Sequence, residues 1–401
     1  MKNKQWPKFP VLFSLYIAQA VPMSFFSTVV PVIMRQENYS LESIGLLQLV
    51  KLPWIVKFLW APLVDNKARN KRQLRTWIVV SELFYAAVIV SIAHFDLQTD
   101  FRLIVVLLVL AFVASATQDI ATDAFAILIL KPAERGLGNS MQSAGSFTGS
   151  LLGTGVLLIA YYYFGWEWLL FLLAAFVAFA LIPLVLFKPA GQREKVDKPR
   201  VTLADIYRFF AIPGMYRRVL ILVFYYSGII GILAMLKPWM VDLGYTAKEI
   251  GFMSGIVGTS VAALAALASG FIVKKVGRRT ALLLFALVNI IAAFYFYAMT
   301  GTEPALITIY LGICLLWGAY GLSTVAIYTT SMDMVRKGRE GTDFTVQIVI
   351  THLSGLIIAV MSGHVGDKIG YDGLFLGEAL LGVAALFIVL FAYRKKDINE
   401  I

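Results

Sequence analysis

Twelve long apolar stretches, separated by short charged or turn-rich breaks, constrain this chain more than any other feature. They fall near 9–34, 41–64, 75–94, 102–129, 136–163, 166–187, 216–241, 247–273, 279–299, 304–330, 342–363 and 371–393. A bilayer core about 30 Å thick takes roughly 20 residues of helix, so each stretch is long enough to cross. In hydrocarbon every backbone polar group must be satisfied internally, which makes helices the expected fold of such stretches. Composition agrees, with 59% hydrophobic and 15% charged residues, against roughly 45–50% and about 25% in ordinary globular chains. These values exclude disordered, fibrous and disulfide-scaffold classes. The one cysteine, Cys314, cannot close a bridge within the chain. The first stretch follows Lys2, Lys4 and Lys8 as a signal peptide's apolar region would, but it is too long and lacks a small-residue cleavage site, so it is expected to be retained.

A net charge of +11 points to nucleic acid or to an anionic membrane, and the positions of the charges decide between them. With the N-terminus inside, 28 of the 35 Lys and Arg fall in cytoplasmic segments. Only Arg35, Arg102, Lys248 and Lys368 fall outside, while Lys51, Lys57 and Lys237 lie within spans. Positive residues stay on the cytoplasmic side, so both termini are expected inside and nucleic acid is not expected as a partner.

The longest polar stretch lies near the middle and divides the chain into 1–187, a cytoplasmic linker 188–215, and 216–401. Two echoes link the halves. Tyr39-Ser40-Leu41-Glu42-Ser43-Ile44-Gly45 matches Tyr245-Thr246-Ala247-Lys248-Glu249-Ile250-Gly251, and Arg135-Gly136-Leu137-Gly138-Asn139-Ser140-Met141-Gln142 matches Arg339-Glu340-Gly341-Thr342-Asp343-Phe344-Thr345-Val346-Gln347, both at an offset near 205. The first pair reads as a capped helix start, with a glycine for close packing one turn inside. Two echoes at one offset predict six plus six helices in parallel repeat, an arrangement common in transporters.

Gly270-Phe271-Ile272-Val273-Lys274-Lys275-Val276-Gly277-Arg278-Arg279 resembles the loop signature of the major facilitator superfamily, with Lys274 in the acidic slot. Ala61-Pro62-Leu63-Val64-Asp65-Asn66-Lys67-Ala68-Arg69 keeps the acid, Asp65, without the leading glycine. Lys57 to Asp65, Gln118-Asp119-Ile120-Ala121-Thr122-Asp123-Ala124, Glu134-Arg135-Gly136 and Asn139-x-x-Gln142 resemble a narrower branch. That branch holds muropeptide permeases of the AmpG type, acetyl-CoA transporters and siderophore permeases of the RhtX/FptX type. The resemblance implies an all-α polytopic membrane protein of two pseudo-symmetric six-helix bundles, with helices one, four, seven and ten lining a cavity. Muropeptide permeases of this type usually carry two more helices, so the length favours a siderophore-like substrate.

Ionisable groups within a span cost about 2.5–3.5 kcal/mol each at mid-helix, which makes them site candidates. Asp119 and Asp123 share one face of helix four beside Gln118, and two close carboxylates suit a proton carrier. The bland alternative pairs Asp123 with Lys131. Lys51 either pairs with a buried acid or meets an anionic substrate, whereas Lys57 is read as snorkelling. Lys237, before Pro238 and Trp239, either binds a carboxylate at a cavity mouth or anchors at the interface. His352 on helix eleven is a candidate titrating group, weighed against a neutral hydrogen-bonded histidine. Glu82 is expected to reach Arg72 or Arg75, and Asp333 is read as a lone acid at the end of helix ten. By the resemblance, Gln19, Tyr225, Tyr226, Trp317 and Tyr320 are substrate contacts, joined by Gln142 and Gln347 from the echo. Asp65, Arg69, Arg135, Arg278, Arg279 and Arg339 are assigned to gating. The small-residue face Gly145, Gly149, Gly153 and Gly155 on helix five, with Ser146 and Ser150, is read as close helix packing.

Asp119-x-x-x-Asp123 superficially suits a membrane prenyltransferase, but helix ten has no matching acidic cluster from Ser323 to Ser331, and no nucleotide-binding or nucleophile motif appears. A receptor or scaffold is disfavoured by the short expected tails. The expectation is therefore a non-enzymatic secondary transporter without cofactor or metal. It is read as a monomer in a bacterial inner membrane that imports an amphipathic or anionic solute with protons.

Overall fold

The computed structural model describes residues 8–39, 47–187 and 200–393. Within them the chain is helical. It begins with α1 (Lys8–Ser24), which passes through a π-turn at Phe25–Val29 into α2 (Val30–Gln36). A broken stretch follows, with 3₁₀ turns at Leu49–Lys51 and Lys57–Leu59 flanking α3 (Leu52–Val56), then α4 (Ala61–Lys67). The first half continues with α5 (Lys71–Ala93), α6 (Phe101–Ile129), α7 (Arg135–Leu151), α8 (Leu157–Ala180) and α9 (Ile182–Leu186). Beyond the linker come α10 (Ala204–Phe210), α11 (Met215–Phe224), α12 (Ser227–Asp242), α13 (Ala247–Ile250) and α14 (Thr259–Val276). The last three are α15 (Arg278–Met299), α16 (Leu306–Asp333) and α17 (Glu340–Ala392).

Among the described residues, nine helical runs are long and apolar enough to cross a membrane. Two of them, Pro132–Leu186 with 55 residues and Glu340–Ala392 with 53, exceed a single crossing. Each bends at a glycine in the left-handed region, Gly165 (φ 71°) and Gly370 (φ 72°), where a side chain would be strained. These glycines split each run at the boundary that the apolar pattern gives, and they sit at the repeat offset of 205. The broken stretch through α3 and α4 supplies the remaining crossing, so the fold is that of twelve spans.

The described residues form two units. Unit one gathers 1–131, 145–203 and 337–345; unit two gathers 132–144, 204–336 and 346–401. Each has its own apolar core, built around Phe25, Phe26, Tyr85, Phe112 and Leu173 in unit one, and around Trp239, Phe285, Phe296 and Phe375 in unit two. Large apolar side chains also cover the outside, among them Phe179, Leu264, Ile307 and Phe391. On a soluble protein such a surface would be a liability, and in lipid it is solvated.

Within unit one the small-residue face of helix five packs as expected. A Cβ added at Gly149 would lie 2.6 Å from the Ala20 Cβ, and one at Gly153 would lie 2.3 Å from the Val21 carbonyl, so α1 is seated directly on this backbone. Gly155 does not share this contact and faces open space. The second copy of the first echo is a capping box, in which Thr246 accepts from the Glu249 backbone and Glu249 accepts from Thr246. Gly251 does not pack closely, since an added Cβ would meet nothing within 4 Å; it opens a π-turn instead. The first copy, Ser40 to Gly45, lies outside the described residues.

Candidate functional site

Unit one carries a buried polar cluster around the middle of α6. Gln118, Asp119 and Asp123 are all buried there. The Gln19 amide of α1 donates to the Gln118 carbonyl oxygen. The Lys57 ammonium pairs with Asp119 Oδ2, and the Tyr16 hydroxyl donates to Asp123 Oδ1. Tyr16 and Gln19 lie three apart on α1 and therefore present one face, while Asp119 and Asp123 do the same at spacing four on α6. Lys57 does not snorkel. It is 1% exposed, and its ammonium also lies 4.5 Å from the Trp54 ring centroid. The 3₁₀ turn at Lys57–Leu59 breaks the helix and turns Lys57 inward. A buried lysine needs such a counter-ion, because desolvating an unpaired charge costs several kcal/mol. Asp123 also accepts from Tyr16 across helices, a contact that the sequence did not suggest. Lys51 is half-buried and forms no ion pair with a described residue.

In unit two, the four aromatic candidates form one chain of edge-to-face contacts. Centroid separations are 5.8 Å for Tyr225–Tyr226, 5.7 Å for Tyr226–Tyr320 and 6.2 Å for Trp317–Tyr320. The Tyr225 hydroxyl donates to the Leu282 carbonyl at 2.8 Å. Gln347 belongs to a second cluster around Arg218, a residue that the sequence pattern had grouped with the cytoplasmic charges. Arg218 is 2% exposed. Its Nε donates to Gln347 Oε1 at 3.0 Å, Nη1 to Thr330 Oγ1 at 3.0 Å, and Nη2 to Ser331 Oγ at 2.5 Å and to the Ile327 carbonyl at 3.2 Å. All four acceptors are neutral. Gln142 is also buried in unit two. Lys237 and His352 are exposed.

The residues assigned to gating fall into two groups. In unit one, Asp65 accepts from the Gly341 N–H at 3.0 Å, the Thr342 N–H at 2.7 Å and the Thr342 hydroxyl at 2.6 Å. It therefore caps the first turn of α17, where unpaired N–H groups and the helix dipole favour an anion. Asp65 follows the span 41–64, and burial pushes its carboxyl up to about 6 against the pull of these bonds. The Arg339 carbonyl accepts from the Asp343 N–H at 2.9 Å in the same turn. Arg69 only closes its own loop, bonding the Asn66 carbonyl at 3.1 Å. In unit two, Asp333 is paired with two arginines. Its Oδ1 accepts from Arg135 Nη1 at 2.8 Å and its Oδ2 from Arg278 Nε at 2.8 Å, so one carboxylate holds two guanidiniums. Arg279 is exposed and bonds the Leu390 carbonyl at 3.0 Å.

Tyr16, Lys57, Arg218 and Asp333 are thus the residues that the sequence reading missed or misassigned. The signal for Tyr16 was its spacing from Gln19. For Arg218 it was a shared face with the buried Ile221 and Leu222. Nothing in the sequence marks Lys57 as the partner of Asp119, since the pairing is made across helices.

A twelve-span fold with buried polar clusters in both halves defines a membrane transporter. The model of the Major Facilitator Superfamily matches residues 12–359, and the chain belongs to that superfamily. It is 23% identical over 404 residues to the anhydromuropeptide permease of Escherichia coli K12, covering 99% of this chain and 82% of the relative. It is 21% identical over 402 residues to the putative transporter AmpG 4 of Rickettsia felis, covering 96% and 97%. Among solved structures, the E. coli fucose:proton symporter superposes with a TM-score of 0.74 at 15% identity, covering 96% and 98%. The Rickettsia protein is matched over nearly its whole length, so the shorter length also occurs among chains named AmpG and no longer favours the siderophore reading.

Proposed function

We propose that this transporter works by alternating access and imports an anionic or amphipathic solute together with protons across a bacterial inner membrane, with both termini cytoplasmic. The observation that carries the reading is the buried cluster of unit one, where Gln19, Gln118, the Lys57–Asp119 pair and the Tyr16–Asp123 bond place two carboxylates and two amides on facing helices. Charge within a membrane protein is costly and marks a pathway for ions or substrate. Asp119 and Asp123 are assigned to proton coupling. Arg218 supports the anionic preference, since a buried guanidinium whose acceptors are all neutral can exchange them for a substrate carboxylate or phosphate. The chain Tyr225–Tyr226–Tyr320–Trp317 offers ring faces and hydroxyls to an amphipathic solute. Asp65 with the first turn of α17, and Asp333 with Arg135 and Arg278, are assigned to gating. Lys51, Lys237, Gln142 and His352 are secondary contact candidates.

The relatives direct the substrate class. A permease named for anhydromuropeptides and chains named AmpG favour a peptidoglycan fragment, which carries sugar, peptide and carboxylates in one molecule. Thermal unfolding of the purified protein with anhydromuropeptide, a ferric siderophore and a CoA ester tests this choice. Stabilisation by the muropeptide alone is expected; stabilisation by either of the others and not by the muropeptide would overturn it.

A further inference from the structure

The strongest unassigned feature is Glu82 on α5. Its side chain is 0% exposed, and neither carboxyl oxygen has a hydrogen-bond partner among the described residues. Contrary to the sequence expectation, it does not meet the basic start of its own helix; Arg75 instead donates to the Val185 carbonyl. One turn on, the fully buried Tyr85 carries its phenol towards Ser115 of α6. The hydroxyls of Tyr85 and Ser115 are also left without a complete hydrogen bond. Four buried oxygen atoms with unused bonding capacity therefore gather on neighbouring turns of α5 and α6.

The elements packed against α5 are α6 and α8, and neither supplies a counter-ion. The one cation of α6, Arg102, is exposed at the helix start, and its buried acids are engaged elsewhere, Asp119 with Lys57 and Asp123 with Tyr16. The buried residues of α8 are Leu169, Leu170, Leu173, Ala174 and Val177, all aliphatic. An isolated carboxylate in such surroundings loses its hydration with no return, and the group is neutralised instead. A hard divalent metal ion takes six or more oxygens, and this locus offers four. A proton needs only one oxygen.

We propose that Glu82 is a proton-binding site of unit one, separate from Asp119 and Asp123. One carboxyl oxygen takes up a proton from water and forms an O–H bond, which leaves a neutral acid in place of an unpaired buried carboxylate. Ser115 lies four residues before Asp119 on α6, on the same face, so the helix packed against Glu82 is also the one that carries the Lys57–Asp119 pair. The proposal goes beyond the transport reading, since Glu82 can hold a proton whether or not that proton drives uptake.

Two measurements on the full-length protein in liposomes test it, and neither involves transport. Infrared spectroscopy at neutral pH reads the carbonyl stretch of a protonated carboxylic acid. The expected result is a band lost in Glu82→Gln and kept in Asp119→Asn, with thermal unfolding of Glu82→Gln unchanged because glutamine copies the neutral acid. Superimposable spectra of wild type and Glu82→Gln would overturn the proposal, as would a marked loss of stability in Glu82→Gln. The second measurement is labelling by dicyclohexylcarbodiimide. The reagent adds across the carboxyl O–H, the acid proton passes to nitrogen, and the whole reagent remains as an acylurea with no leaving group. Peptide mass spectrometry should find Glu82 labelled several-fold above Asp119, with labelling falling as pH is raised. Labelling of Asp119 in preference to Glu82 would overturn it.

Discussion

Breaking the Lys57–Asp119 pair from one side should cost far more than removing it whole. Both side chains are almost wholly buried, at 1% and 5% exposure, so each single substitution strands a desolvated charge. Lys57→Met leaves the Asp119 carboxylate without its cation, and Asp119→Asn leaves the Lys57 ammonium with one weak acceptor and the Trp54 face. Stranded charges of this kind cost about 3–5 kcal/mol, whereas replacing a buried pair by neutral groups of similar volume is often neutral or stabilising. The double variant Lys57→Met/Asp119→Asn should therefore be more stable than either single variant. The coupling energy should be about 2 kcal/mol or more, read from reversible unfolding in mixed detergent micelles as a double-mutant cycle. Additivity within about 0.5 kcal/mol would refute the argument, because it would mean the two charges do not depend on each other. Restored stability should not restore uptake if Asp119 carries protons.

Other perturbations reach different parts of the molecule. Arg218→Gln should destabilise unit two by about 2–4 kcal/mol, since it removes four buried hydrogen bonds, to Gln347, Thr330, Ser331 and the Ile327 carbonyl, and it should raise KM for an anionic substrate more than for a neutral analogue; equal effects on both would count against an anion-binding role. Gly149→Leu and Gly153→Val should each cost about 1–3 kcal/mol through overpacking against α1, while Gly155→Ala, facing open space, should be silent in the same unfolding assay. The Asp65 carboxyl is held near 6 in the fold, above its ordinary 3.8, so the folded chain binds a proton more tightly than the unfolded one. Its stabilising contribution is complete below about pH 4 and is lost as pH rises through about 6, by up to about 3 kcal/mol. Wild type should therefore lose stability relative to Asp65→Asn between pH 5 and 7.5, and a gain over that window would contradict the assignment. Arg135→Ala and Arg278→Ala, which share Asp333, should be non-additive in stability, because the remaining guanidinium still neutralises the carboxylate.

How much of this was legible in the sequence follows from the range of the forces involved. Spans are set by local hydrophobicity, so even the helix breaks at Gly165 and Gly370 were placed correctly without coordinates. Faces of single helices were also readable, which is why Gln118, Asp119 and Asp123 emerge together and why the glycines of helix five pack on α1. Pairings between helices were not. Lys57 looked free to reach the surface because a straight helix would have carried it there; the 3₁₀ turn that redirects it has no sequence signature. The pairing of Asp333 was not visible because its partners, Arg135 and Arg278, lie 198 and 55 residues away. Arg218 was hidden by its neighbour Arg217, since the charge count treats adjacent arginines alike although only one of them is buried. Length favoured a siderophore-like substrate, and a relative of similar length named AmpG takes away that support.

The central claim is that the carboxylates of α6 couple solute movement to protons. Uptake of radiolabelled anhydromuropeptide into proteoliposomes under an imposed pH gradient tests it most directly. Accumulation should follow the gradient, collapse with a protonophore and be lost in Asp119→Asn. Accumulation that is indifferent to the gradient and unchanged in Asp119→Asn would contradict it.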